Sequence, residues 1–198
     1  MHYRRYHLTS IIILLLFFTL LPGCNQNKKV WISGWKETSS FDTPRVGAGV
    51  VVVNDIVYVI GGVDGKIFLD TTTYAKIQFD GSLGPWKTGP KLKEERGFIG
   101  AAVYKDYIYV VGGGKGAYGQ NLLRSVERAH ILSDGSLGPW EKERHQLVVP
   151  RRCNEVAVLG NAIYSFGGFG GALLDTVERA EFLDVTCHIK LTEIFTLN

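Results

Sequence analysis

From residue 45 onward the apolar positions come as paired short runs, not at helical spacing. Val50–Val53 and Ile56–Ile60 are rich in β-branched residues and are parted only by Asn54-Asp55. Lys105-Asp106 and Gly160-Asn161 stand at the same place between two later pairs of runs. Two residues between β-forming runs predict a tight hairpin. Both runs are apolar on nearly every residue instead of alternating, which predicts hairpins covered on both faces. A third strand is expected around 72–79, 126–132 and 177–183, and a fourth from Trp86 and Trp140.

This pattern is a repeat. The heptapeptide DGSLGPW occupies 80–86 and, letter for letter, 134–140. RVGAGVVVVNDIVYVIGG begins at Arg45, RGFIGAAVYKDYIYVVGG at Arg96 and RRCNEVAVLGNAIYSFGG at Arg151, at spacings of 51 and 55 residues. FLDTTTYA from Phe68, LLRSVERA from Leu122 and LLDTVERA from Leu173 follow in register. Asp-Gly and Gly-Pro supply the positive and fixed φ values that a reversal needs, so the heptapeptide reads as the connection into the outermost strand. Units of this length bury their apolar faces only against neighbours.

Four antiparallel strands per unit, the pairs Gly61-Gly62, Gly112-Gly113 and Gly167-Gly168, the preceding Tyr58, Tyr109 and Tyr164, and Trp86 and Trp140 resemble the kelch repeat, the blade of galactose oxidase/kelch-type β-propellers. The resemblance implies an all-β chain of about three four-stranded antiparallel blades, an incomplete propeller, with blades at 45–95, 96–150 and 151–184. Where the family usually has a Tyr in the third strand, this chain has Ala75, Ala129 and Ala180. The glycine pairs are expected to let neighbouring blades approach closely.

Arg4 and Arg5 precede the apolar run Ile11–Leu21, too short to span a bilayer as a helix, so residues 1–23 are expected to be a signal peptide. Leu21-Pro22-Gly23-Cys24 resembles the lipobox of bacterial lipoproteins, which implies a lipid on Cys24 and a lipid-anchored protein of the cell envelope. An ordinary secretory signal with an incidental Cys is the other reading. Residues 24–30 form a polar tether, residues 31–198 carry the blades, and 185–198 are a divergent tail. Asn25, where Asp is often associated with inner-membrane retention, points to the outer membrane.

Without the leader the chain has 20 basic against 19 acidic residues, so nothing marks it as a nucleic-acid binder. Cys153 and Cys187 could pair in an exported compartment, but Cys153 falls in a strand pattern and is expected to be a small core residue.

Few motifs carry chemistry. Gly114–Gly119 matches G-x-G-x-x-G, yet QNLLRSVERAHI follows it and is expected to be a third strand, not the helix that a dinucleotide requires. His130, His145 and His188 are far apart, and no metal site or cofactor is expected. KLKEER at 91–96 and EKER at 141–144 read as solvated turns, and Glu127-Arg128 and Glu178-Arg179 as structural. The candidate ligand-binding residues are Arg45, Arg96, Arg151 and Arg152, which repeat symmetry would bring round one mouth of the channel. A guanidinium fork suits a carboxylate or other anion. Ion pairing with acids between blades is the equal alternative. The loops after the glycine pairs hold 5, 8 and 4 residues at 63–67, 114–121 and 169–172, and such variation gathers on binding faces.

These readings favour a non-catalytic module for an unknown protein or carbohydrate-like ligand. The alternatives are an enzyme like the sugar-acid mutarotases and epimerases of the same fold, and an inactive remnant of a longer propeller. The heptapeptide is missing after Ala180, while SGWKETSSFDTP at 33–44 looks like a fourth strand, Trp35 preceding Arg45 by the same 10 residues as Trp86 precedes Arg96. Three blades are fewer than a closed propeller typically has. Two expectations follow: a frame change near Asp184, or a homodimer that completes six blades.

Overall fold

The computed structural model describes residues 31–183. The leader, Cys24, its tether, Cys187 and the divergent tail lie outside the described residues. Residues 31–37 have no regular structure, and the strand expected at 33–44 does not form among the described residues.

The first blade is β1 (Gly49–Val53), β2 (Ile56–Ile60), β3 (Thr72–Lys76) and β4 (Lys87–Thr88), antiparallel in that order. The second is β5 (Gly100–Tyr104) and β6 (Tyr107–Val111), then, beyond a small ribbon of β7 (Gly114–Lys115) and β8 (Asn121–Leu122), β9 (Val126–His130) and β10 (Glu141–Lys142). The third is β11 (Glu155–Leu159), β12 (Ala162–Phe166) and β13 (Val177–Glu181). Two blades thus have four strands, and the third has three among the described residues.

Register repeats faithfully, with Val51 opposite Tyr58, Ala102 opposite Tyr109 and Ala157 opposite Tyr164. Hairpin geometry explains why so different a set of residues works at the turn. Asn54, Lys105 and Gly160 all take positive φ, at 53°, 50° and 62°. The G-x-G-x-x-G segment becomes the β7–β8 ribbon with a single 3-10 turn at Ala117–Gly119, and Asn121-Leu122 belongs to that ribbon, not to the third strand. Third strands end sooner than expected, at Lys76, His130 and Glu181, because the turn begins there: Ile77 bridges to Leu83 and Ile131 to Leu137.

Inside that turn Asp80 Oδ1 accepts from Ser82 N at 3.0 Å and Ser82 Oγ at 2.6 Å, and Asp134 does the same with Ser136 at 2.9 and 2.6 Å. An Asp side chain folding back on its own backbone makes the reversal a local property. Both carboxyls are held below their usual range, chiefly by the serine hydroxyl.

Blades join through backbone and aromatic contacts. Gly62 N donates to Arg96 O at 2.9 Å and Gly113 N to Arg151 O at 2.8 Å. A Cβ on Gly61 would lie 2.5 Å from Arg96 O and one on Gly112 2.6 Å from Arg151 O, so the glycine pairs permit this approach. Trp140 is fully buried in the cluster formed by Val51, Tyr58, Ile60, Ile99, Ile108 and Val110. Its Nε1 donates to Thr72 Oγ1 at 3.1 Å, while Tyr58 Oη donates to Gly135 O at 2.8 Å.

Only the middle blade is covered on both faces. Val50 and Val52 of β1 are 56% and 55% exposed, because among the described residues no blade precedes them. The free face of the third blade differs chemically. In β1 and β5 the residue facing the next blade is Gly49 or Gly100; a Cβ on Gly49 would stand 2.9 Å from Ala101 Cβ, and one on Gly100 would collide with Val156. At that register position β11 has Glu155, exposed.

Candidate ligand face

The loops that leave β2 and β6, together with the residues that open β5 and β11, surround a cleft of about 710 Å³. Ile67 and Phe68 come from the first blade, Ala117 and Tyr118 from the β7–β8 ribbon, and Phe98 and Arg152 from the starts of the second and third blades. Isolated bridges set these loops in place: Val46 to Val63, Val63 to Phe68, Gly97 to Gly114 and Arg152 to Phe169. Tyr118 is 87% exposed and sits at φ 55°, displayed by the turn instead of packed in the core. Phe68 and Phe98 meet edge to face, 6.2 Å between centroids.

Arg152 is the polar centre of this cleft. Its guanidinium stacks on Phe98 at 5.6 Å and Phe169 at 5.2 Å, and Nη1 donates to Tyr118 O at 2.9 Å. Nε is buried and has no hydrogen-bond partner. The aromatic faces and one carbonyl therefore orient the fork without neutralising it. Lys66 and Glu95 also line the cleft. The 63–67 loop is closed by Asp64, whose Oδ1 accepts from Lys66 N and Ile67 N and whose carboxyl is lowered mainly by those bonds.

The other three arginines are placed differently. Arg96 and Arg151 have no side-chain exposure. Arg96 Nη1 donates to Gly112 O and Ser125 O, and Nη2 to Ser125 Oγ at 2.9 Å and Glu127 Oε1 at 2.7 Å. Arg151 repeats this with Gly167 O, Thr176 O, Thr176 Oγ1 at 3.1 Å and Glu178 Oε1 at 2.6 Å. Each glutamate lies in the arginine's own blade, not across an interface. Its carboxylate also holds the incoming chain, Glu127 accepting from Lys93 N and Glu178 from Val148 N and Val149 N. Burial pulls the Arg96 pKa down, and Glu127 and Glu94 oppose that pull. Arg45 is partly exposed and donates only to the carbonyls of Thr43, Gly61 and Thr71. Of the four candidates, Arg152 alone reaches the cleft.

Two residues depart from their sequence reading. Glu94, within KLKEER, is only 17% exposed and joins Arg96, Lys115 at 2.6 Å and Lys142 at 3.4 Å. Burial raises its pKa, but the Lys115 and Ser125 hydrogen bonds outweigh it and leave the carboxyl at about 2. A run of mixed charges gives no local sign of partners 21 and 48 residues away. Cys153 is exposed rather than in the core. It precedes β11 at φ 54°, aligned with Gly47 and Phe98, and its N–H donates to Phe98 O at 2.7 Å. The strand pattern that placed it inside begins two residues later.

A family model described as Kelch motif matches residues 44–72. The match spans the opening of the first blade, through β1 and β2 to the start of β3. Kelch-like protein 13 of Bos taurus is 33% identical over 84 residues, 40% of this chain and 12% of that protein. Kelch-like protein 36 of Bos taurus is 25% identical over 176 residues, 87% of this chain and 25% of the relative. Alpha-scruin of Limulus polyphemus is 25% identical over 162 residues, 76% of this chain and 16% of the relative. The chain therefore spans a quarter or less of these relatives' lengths. Similarity reaches beyond the matched motif over most of the blades, in keeping with one blade plan written three times.

Proposed function

We propose that this chain is a non-catalytic kelch-type binding module, held at the bacterial cell envelope by a lipid on Cys24, that takes a protein partner on the loop face around Arg152. The observation that carries the reading is the cleft: an oriented but un-neutralised guanidinium between aromatic rings, with Ile67 and Tyr118 exposed beside it. Exposed apolar residues around an arginine and a tyrosine are the usual makings of an interface hot spot. Loops of unequal length from successive kelch blades give the face its individuality, while the blades beneath keep it rigid. The anchor rests on the Arg-rich start, the apolar run and Leu-Pro-Gly-Cys; bacterial lipoproteins carry several acyl chains, and more than one chain is what stable anchoring takes. Asn25 favours the outer membrane.

A photo-crosslinking residue placed at Tyr118 in the full chain, in its host cells, should give a discrete protein adduct that Arg152→Ala removes. The same probe at Phe79, exposed on an outer turn, should give none. Equal adducts from both positions would refute the binding face. Separately, Cys24→Ser should abolish palmitate labelling and release the chain from membranes; an unlabelled wild-type chain in the soluble fraction would remove the anchor from the reading.

A further inference from the structure

The three blades solve the same problem at their opening arginine, and the first solves it incompletely. In the second blade Nη2 of Arg96 meets Ser125 Oγ and Glu127 Oε1, and in the third Nη2 of Arg151 meets Thr176 Oγ1 and Glu178 Oε1. By strand register Thr71 stands where Ser125 and Thr176 stand, and Thr73 where Glu127 and Glu178 stand. The acid is therefore replaced by a shorter hydroxyl. Glu94, the second carboxylate of the middle blade, is matched in sequence by Thr43.

The consequence is visible in the hydrogen bonds. Arg45 uses Nε and Nη1 on carbonyls and leaves Nη2 without a partner among the described residues. Thr71 Oγ1 and Thr73 Oγ1 are both buried and both without a partner. Residues two apart on a strand share a face, so the two hydroxyls point to the same side as the side chains that meet Nη2 in the other blades. Burial lowers the Arg45 pKa, and no carboxylate opposes it. Unpaired buried hydroxyls are costly, and the Arg45 guanidinium has the Phe41 ring 5.5 Å away but no carboxylate to pair with among the described residues. Here they meet at the spot where two sister blades hold a carboxylate. Arg45 is partly exposed, whereas Arg96 and Arg151 are sealed, so its guanidinium can be reached from outside and the two hydroxyls lie buried behind it.

We infer that the first blade contains a carboxylate-binding site, in which Arg45 Nη2, Thr71 Oγ1 and Thr73 Oγ1 receive an external carboxylate in the place of the missing glutamate. The ligand class is a carboxylate small enough, or on a chain slender enough, to enter where Thr replaces Glu. This site uses different residues from the Arg152 cleft and stands or falls independently of it.

The test uses the chain from Cys24 onward with formate as the probe, titrated against chloride at constant ionic strength while the urea midpoint is read. Wild type should show a saturable rise with formate. Thr73→Glu supplies the carboxylate internally, so its midpoint should be higher without formate and should not respond. Thr73→Val keeps the shape and removes one donor, and should weaken the response roughly fivefold, the worth of one hydrogen bond. N-acetyl-glutamyl amide acting at formate's concentrations would assign the site to acidic side chains of a partner, and formate acting alone would assign it to small free acids. No rise beyond chloride, an equal rise in Thr73→Glu, or an unchanged response in Thr73→Val would each overturn the proposal.

Discussion

The two copies of DGSLGPW end in tryptophans preceded by the same six residues, and replacing each by alanine should cost different amounts. Trp140 has no exposed surface, lies between the first two blades and donates to Thr72 Oγ1, itself fully buried. Removing it opens a cavity that rigid strands on both sides cannot close, a loss of about 3–5 kcal/mol for a buried Trp. Thr72 also loses its donor, which adds about 1 kcal/mol. Trp86 has no blade before it. It donates to Ser39 O at 3.1 Å and meets Phe41 edge on at 5.3 Å, and stays partly exposed. With part of its surface still exposed and a cover that can relax, Trp86→Ala should cost less, about 2 kcal/mol. Urea unfolding followed by far-UV circular dichroism reads both differences, provided the m-values match wild type. Thr72→Val should lower stability by about 1 kcal/mol and add little on top of Trp140→Ala, since the two share one bond. Equal losses for the two tryptophans would refute the placement of Trp140 between blades.

Three further outcomes are expected. Glu127→Gln, which leaves the sealed Arg96 facing a neutral amide, should cost about 3 kcal/mol; Glu178→Gln should cost less, because Glu178 is 16% exposed, and urea midpoints will rank the two. Glu94 is held at about 2 in the folded chain, below its ordinary 4.5, so its stabilisation is present above pH 5 and lost as pH falls toward 2. That loss should be about 1–2 kcal/mol, since solvent screens the partly exposed Lys115 and Lys142, and Glu94→Gln should flatten the acid limb of the stability profile; an unchanged limb counts against the Lys115 and Ser125 contacts. A second copy closing the ring would set its β1 against Glu155, where the internal interfaces need glycine, so the chain from Cys24 onward should scatter light as a monomer and Glu155→Gly should promote dimers. A wild-type dimer would show that the free faces join in another way.

What the sequence determines by itself is whatever closes over a few residues. The hairpins follow from β-branched runs split by two turn residues, and DGSLGPW folds its own reversal because Asp80 and Asp134 bond to serines two positions on. Period and register were legible for the same reason: each blade restates the same local rules, so the all-β, three-blade architecture could be read from spacing. The tertiary structure decided everything that depends on which blade stands next to which. Identical tryptophans became a buried wedge and a partly exposed cover, and the innermost strand was covered in the middle blade and bare on one face in the first. Repeat symmetry put four arginines on one list, yet burial divided them: Arg96 and Arg151 neutralised inside their blades, Arg45 short of its acid, and Arg152 free in the cleft. That division turns on Glu127, Glu178 and Thr73, 31, 27 and 28 residues from their arginines. Whether a guanidinium binds a ligand or holds a fold is set by the groups that folding brings within 3 Å of it.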